Sequence, residues 1–291
     1  MTLTEKQKRT LYGYLFFAPF GILFIVFRIY PALQSARITF YQWDVLGVPK
    51  FLGLANYGTV FHDPKFWTSL WHTVYFTLIT VPPLVIFGFF LAVLVNSNIY
   101  WQGFFRAAFY IPAILSISVV CVTWGLLYSN SFGLFNALLK SLGLAPVNWL
   151  GMGWAMIAIG VTTIWWTVGF NFIIYLAGLQ QISSSYYEAS QLDGASGFQD
   201  LIYITLPLLK RSHILIIVLQ VIASLQIFGQ VLIMVNGGPG GVTRTLVLYM
   251  YELGFRYFKM GIAQTIAFLF FLLMLGISYL QVRLMTRSGE D

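Results

Sequence analysis

The chain has 291 residues and a formal net charge of +7, yet only 9% of its residues are charged and 59% are hydrophobic, with a mean hydropathy of +0.80. Soluble domains carry about a quarter charged residues, so this composition excludes an ordinary soluble fold and indicates a membrane protein. The basic charge is spread along the chain without a stripe, which indicates membrane flanks and excludes a nucleic-acid surface.

Six runs are long and apolar enough to cross a bilayer as helices, each needing about 20 residues. In chain order they cover 11–30, 74–95, 107–128, 154–176, 214–235 and 261–280. A membrane β-barrel would instead show ~10-residue alternating segments. The expected fold is therefore all-α, a polytopic membrane protein with six transmembrane helices. The first run follows Lys6, Lys8 and Arg9. It is longer than a signal-peptide core and has no small-residue cleavage site after it, so it reads as a signal anchor. Arg28, near the end of that run, reads as a side chain snorkelling to the interface.

The remaining segments follow from those spans. A long connection covers 31–73, and a short turn covers 96–106. The segment 129–153 holds FGLFNALLKSLGL, with the pattern of a short amphipathic helix. Asn236–Gly241, NGGPGG, has no lysine after it and reads as a turn, not a phosphate loop. With the N-terminus inside, eight lysines and arginines fall on inner segments and seven on outer ones. This near tie leaves orientation open, although the N-terminal cluster favours N-in.

The chain lacks the residues of several chemistries. No P-loop is present, and His62, His72 and His213 lack zinc-site spacing. Cys121 is alone inside an apolar run and reads as a small buried residue. No carboxylate lies in a predicted span, where a proton relay would need one. The chain is expected to be no enzyme, to bind no metal or cofactor, and to draw energy from another chain. An ATP-independent channel or membrane-embedded enzyme is the reading from another class.

Between the fourth and fifth runs lies YYEASQLDGASGFQDLIYITLPLLKRS, Tyr186–Ser212, with three of the nine carboxylates. Ser185 and Glu188 have capping-box spacing, as do Ser196 and Gln199. Gly194 suits the left-handed residue that ends a helix, and Pro207 a later boundary. The local pattern therefore predicts helix, tight Asp193-Gly194 turn, helix. The first helix is too short to be stable alone and shows Tyr186, Tyr187, Ala189 and Leu192, which suits docking to a partner.

These residues carry a resemblance. Glu188-Ala189-Ser190, three residues, Gly194, nine residues and Ile204-Thr205-Leu206-Pro207 resemble the EAA loop of permease subunits of binding-protein-dependent ATP-binding-cassette importers. The departure is Ser190, where the pattern has a second alanine. FLGLANYGTVFHDPKFWTSLWHTVYFT at Phe51–Thr77, FFRAAFYIPAIL at Phe104–Leu115 and NGGPGGVTRTLVLYMYELGF at Asn236–Phe255 are similar to segments of the carbohydrate type, that of the maltose and glycerol-phosphate importers. Within that type they resemble the first of the two non-identical permeases.

The resemblance implies a type I importer fold in a bacterial or archaeal cytoplasmic membrane, with both termini and the EAA loop cytoplasmic. It implies a tail, first helix and outer segment over 1–70, a core permease over 71–283 with its loop at 182–211, and a tail at 284–291. The implied partners are a second permease, an ATPase dimer using ATP and Mg, an extracytoplasmic solute-binding protein, lipid and a sugar substrate. A non-sugar solute such as glycerol phosphate, a peptide or a polyamine is the alternative. In the coupling helix it implies, Glu188 caps the helix and meets the ATPase, Ala189, Ser190 and Gly194 permit close approach, Asp193 sets the turn, and Leu192 and Phe198 dock. A substrate path near the midplane is expected at Thr163, Trp166, Thr167 and Phe170 of the fourth run and at Gln220 and Ser224 of the fifth. The same residue types also serve as glue between membrane helices.

Overall fold

The computed structural model describes residues 4–44, 47–97 and 100–287. Helix α1 (Glu5–Phe24) passes through a π-turn at Ile25–Ile29 into α2 (Tyr30–Ile38). A two-residue antiparallel hairpin follows, β1 (Tyr41–Gln42) with β2 (Lys50–Phe51), in which Tyr41 faces Phe51. Then come α3 (Ala55–Phe61), α4 (Pro64–Asn96), α5 (Gln102–Ile114), α6 (Ile117–Leu127), α7 (Leu134–Ser141) and α8 (Ala155–Leu179). The segment singled out above forms α9 (Ser184–Leu192), α10 (Gly197–Asp200), a π-turn at Leu201–Thr205 and α11 (Leu206–Leu208). The chain ends with α12 (Lys210–Leu225), α13 (Gly229–Met234), α14 (Leu246–Tyr251), a π-turn at Glu252–Arg256 and α15 (Met260–Arg287). Of the tail expected at 284–291, residues 288–291 lie outside the described residues.

Among the described residues, four stretches are long and apolar enough to cross a membrane: Tyr12–Ile38, Pro64–Asn96, Ala155–Leu179 and Met260–Arg283. The other two expected spans are bent pairs. Helices α5 and α6 meet at 96°, and the stretch Gly197–Leu208 meets α12 at 65°. The unbroken third span expected over 107–128 is thus corrected to two helices separated by an extended Leu115–Ser116. The fifth, expected over 214–235, starts at Lys210 and stops at Leu225, and Gly229–Met234 forms a separate helix. A hydropathy average over about 20 residues does not register such breaks, because the single polar residues at them, Ser116 and Gln226, lie among long apolar stretches.

The first and second spans run longer than expected. The first continues through Pro31, which follows directly on the π-turn, where the i→i+5 pairing interrupts the regular ladder that a proline cannot join. Arg28 therefore lies exposed ten residues before the helical end at Ile38, not at the end of the run. The second begins at Pro64, ten residues early. Phe66, Ser69, Thr73, Phe76 and Thr80 are all buried, and their alternating spacing of three and four keeps one face of α4 inward through the less apolar start.

The described residues form two compact units. In the first, the residues up to Pro64 join Met250–Leu272. Its fixed point is Asn56, buried, whose Nδ2 donates to the carbonyls of Thr39 (2.8 Å) and Tyr41 (2.9 Å). The second holds Lys65–Tyr249 and the residues from Leu273 on. Its core contains Phe89, Ala92 and Val95 of α4, Phe172, Tyr175, Leu176 and Leu179 of α8, and Ile216 of α12. Lipid is as apolar as these side chains, so close packing and interhelical hydrogen bonds must hold the helices together. Gly169 supplies the closest approach: a Cβ there would stand 2.2 Å from the Phe109 carbonyl oxygen of α5. Asn171 donates from Nδ2 to the Leu84 carbonyl (3.3 Å) and accepts at Oδ1 from Gln220 Nε2 (2.7 Å), tying α8 to α4 and α12. The hydroxyls of Thr80 and Ser224, 3.2 Å apart, close the triangle between α4 and α12.

The amphipathic helix expected within 129–153 is α7. Its buried Asn136 accepts at Oδ1 from Val147 N–H (2.9 Å) and Trp149 Nε1–H (3.1 Å) and donates to the Val147 carbonyl (3.0 Å). One side chain thereby satisfies three polar groups of the irregular segment after the helix.

Candidate functional site

Helix α9 starts where Ser183 adopts extended backbone angles and its Oγ accepts from Ser185 N–H (3.4 Å). It ends in a Schellman motif: Ala195 N–H bonds Ser190 O (3.0 Å) and Gly194 N–H bonds Gln191 O (3.1 Å). Gly194 carries φ +78° as that motif requires, with Asp193 at the cap before it. The second helix opens with the expected capping box. Ser196 Oγ accepts from Gln199 N–H (3.4 Å), and Gln199 Oε1 accepts from Ser196 N–H (2.7 Å).

The expectation that Glu188 completes a capping box is corrected. The cap is Ser183, so Ser185 is already the second helical residue and Glu188 the fifth, beyond reach of the helix start. Glu188 instead stands exposed, as do Ala189 and Leu192 on the same face of α9. Leu192 is 90% exposed, and Phe198, just beyond the turn, is 70% exposed. Tyr187 and Ser190, three residues apart, form the opposite, half-buried face. Tyr187 Oη lies 3.0 Å from Thr205 Oγ1, and Ser190 Oγ donates to Asp200 Oδ1 (2.7 Å). A nine-residue helix is marginal in isolation. Here caps at both ends and two side-chain bonds on one face hold it, while its other face carries exposed apolar groups.

The six expected path residues divide by burial. Thr163, Gln220 and Ser224 are buried. Thr163 Oγ1 returns to the Ile159 carbonyl (2.8 Å), and Gln220 and Ser224 form the interhelical bonds to Asn171 and Thr80. Trp166 and Thr167 are half-buried and Phe170 exposed. Trp166 Nε1–H donates to the Leu115 carbonyl (3.1 Å), the group left unpaired where α5 stops. At the same break Ser116 caps α6, its Oγ accepting from Val119 N–H (3.4 Å). The break in the fifth run adjoins it, since a Cβ on Gly229 would stand 2.4 Å from Ile117 Cδ1. Two interrupted helices thus meet, with Ser116, Ser118 and Gln226 exposed around them. Irregular backbone at membrane depth is tolerated only within protein or along a cavity. A separate hollow of about 500 Å³ between α4, α6 and α8 is lined by Phe87, Phe90, Leu94, Trp124, Ile164 and Trp165, and offers a polar solute no partner.

Residues 52–288 match the family described as binding-protein-dependent transport system inner membrane component. The chain belongs to that family. The permease protein MalF of the trehalose/maltose transport system of Thermococcus litoralis is 37% identical over 290 residues, covering 97% of each chain. The arabinooligosaccharides transport system permease protein AraP of Bacillus subtilis is 32% identical over 275 residues, covering 93% of this chain and 87% of its own. A chain in the crystal structure of a bacterial alginate ABC transporter, in complex with an alginate pentasaccharide-bound periplasmic protein, superposes with a TM-score of 0.84 at 23% identity, covering 94% of this chain and 93% of its own. The fold is therefore that of ABC importer permeases, the type I fold expected.

The matched region of this inner membrane component contains both α9 and the paired breaks. Sequence reasoning missed Ser183 as the cap, because Ser183, Ser184 and Ser185 are three adjacent candidates. It also missed Asp200 as a partner of Ser190, and Ser116 as an exposed polar group at the first break. Pro112, three residues before Leu115, was the one local signal for the first break.

Proposed function

We propose that this chain is one of two permease subunits that together enclose the path of an ATP-driven importer for a sugar or small oligosaccharide. The observation that carries this reading is α9, braced on one face against its own chain and open on the other through Glu188, Ala189 and Leu192. That face, with Phe198, suits the surface of a separate ATPase dimer, which would supply ATP and Mg; this chain would bind no cofactor itself. Both termini and α9 then lie on the cytoplasmic side, and a solute-binding protein delivers sugar at the opposite face. As the ATPases close on ATP, they draw the α9 helices of the two permeases together. The movement passes along α8 and α12 to the paired breaks and opens the path outward; hydrolysis resets it.

The sugar class is supported by relatives named for trehalose/maltose, arabinooligosaccharides and lactose transport. Partly open Trp166, Thr167 and Phe170, with Ser116 and Gln226 at the breaks, combine aromatic planes with hydroxyl and amide groups, the kit a sugar ring needs. Thr163, Gln220 and Ser224 are buried and would reach solute only where the helices part. Co-expression with the ATPase, second permease and binding protein, reconstitution into proteoliposomes and uptake of labelled trehalose, maltose, lactose and arabino-oligosaccharides test this reading. Stoichiometric co-purification and ATP-dependent uptake of one of these sugars are expected. A homo-oligomer active without an ATPase would overturn the importer, and ATP-dependent uptake of amino acids or polyamines alone would overturn the sugar.

A further inference from the structure

We infer that Asp200 and Ser190 form a latch that makes α9 and the segment leading into α12 move as one body, with Asp200 a positioning residue for energy coupling. This rests on the importer reading above. The family pattern places alanine where this chain has Ser190, and alanine has no proton to give. Here Ser190 Oγ lies 2.7 Å from Asp200 Oδ1 and 2.9 Å from the Tyr187 carbonyl. Its single proton serves one acceptor at a time, and the carboxylate is the closer and stronger.

A second bond sits one turn earlier. Thr205 Oγ1 donates to the Asp200 carbonyl (3.2 Å), so its oxygen is left to accept from Tyr187 Oη–H at 3.0 Å. Asp200 therefore joins both ties, through its carboxylate to Ser190 and through its carbonyl, via Thr205, to Tyr187. Behind them lies a hollow of about 250 Å³ lined in part by Val93, Asn96, Tyr187, Asp200, Leu201 and Thr205. With open space there, these bonds join the inner face of α9 to the following segment in place of tight packing. Without them, force on α9 reaches the bundle through its chain connections: back to α8 over Gln180–Ser183, and forward through the Asp193–Gly194 turn. With them it also enters the π-turn at Leu201–Thr205 and so α12, which carries the Gln220 and Ser224 ties and ends at the break beside Gln226.

The test uses the whole transporter in proteoliposomes and compares sugar imported per ATP hydrolysed at equal amounts of assembled complex. Ser190→Ala and Asp200→Ala are each expected to lower this ratio about threefold to tenfold, within the range for the net loss of one ordinary hydrogen bond, since the pair is only half-buried. The double variant should be no worse than the more severe single one, because both remove the same bond. Asp200→Asn keeps an oxygen that accepts the Ser190 proton and is expected to restore most of the ratio. An Asp200→Asn variant as poor as Asp200→Ala would assign Asp200 a role for its charge and overturn the latch. So would additive single effects, or an unchanged ratio in Ser190→Ala. A wild-type chain that assembles with no ATPase overturns the importer reading itself, an outcome distinct from these.

Discussion

Replacing Gly194 separates the conformational demand of the α9 turn from its packing. A Cβ at this position would meet no heavy atom within 4 Å outside its chain neighbours, so the Cβ of Gly194→Val enters open space. The penalty comes from φ +78° alone. A left-handed residue with a Cβ costs roughly 1–2 kcal/mol, and β-branching puts valine at the upper end. That corresponds to a factor of about 5–30 in the population of the formed turn. The core of the second unit is untouched, so membrane insertion and yield are expected to stay at wild-type levels. The loss falls on the Ala195-to-Ser190 and Gly194-to-Gln191 bonds that end α9, and thus on the exposed face carrying Glu188, Ala189 and Leu192. Uptake in proteoliposomes and sugar-stimulated ATP hydrolysis should both fall, by up to that factor where the turn is marginally stable. Gly194→Asn is the control: asparagine adopts the left-handed region far more readily, so it should retain most of the activity. Normal uptake with valine, or equal losses with asparagine and valine, would refute the argument that backbone conformation at Gly194 sets the face of α9.

Two further variants probe the bundle. Gly169→Ala would place a Cβ 2.2 Å from the Phe109 carbonyl oxygen and 3.0 Å from Tyr110 Cα, so α5 and α8 must separate. Overpacking of this kind costs about 1–3 kcal/mol, and a lowered Tm in detergent is expected; an unchanged Tm would show that the two helices have room to part. Trp166→Phe keeps an aromatic side chain, though a smaller one, and removes the donor to the Leu115 carbonyl at the α5–α6 break. Hydrogen bonds between membrane helices average about 0.6 kcal/mol and reach roughly 1.7 kcal/mol. A small drop in Tm with a larger drop in uptake is the expected result, and unchanged uptake would count against a role for the break in the path.

What the sequence shows and what it hides divide by distance along the chain. Ser196 with Gln199 and Gly194 after α9 were legible because each involves partners within five residues. Spans such as α8 and α15 were legible because twenty apolar residues have few alternatives in a membrane protein. The length of α4 was hidden by its first turns, where Ser69 and Thr73 are buried and Thr73 Oγ1 accepts from Leu246 N–H (2.8 Å), 173 residues on. The break at Leu115 was hidden in the same way, since the donor that satisfies its carbonyl is Trp166, 51 residues away.

Ser190 shows what pattern alone leaves open. As one position of a motif it is a small residue in place of alanine, and size is the only property the spacing tests. Its partner, ten residues on, lies beyond a turn whose geometry depends on Gly194. The hydroxyl acquires a role only once that turn folds Asp200 back onto the inner face of α9. The same substitution in a chain with an apolar residue at position 200 would be close to neutral, so the functional content of Ser190 belongs to the pair and not to the motif.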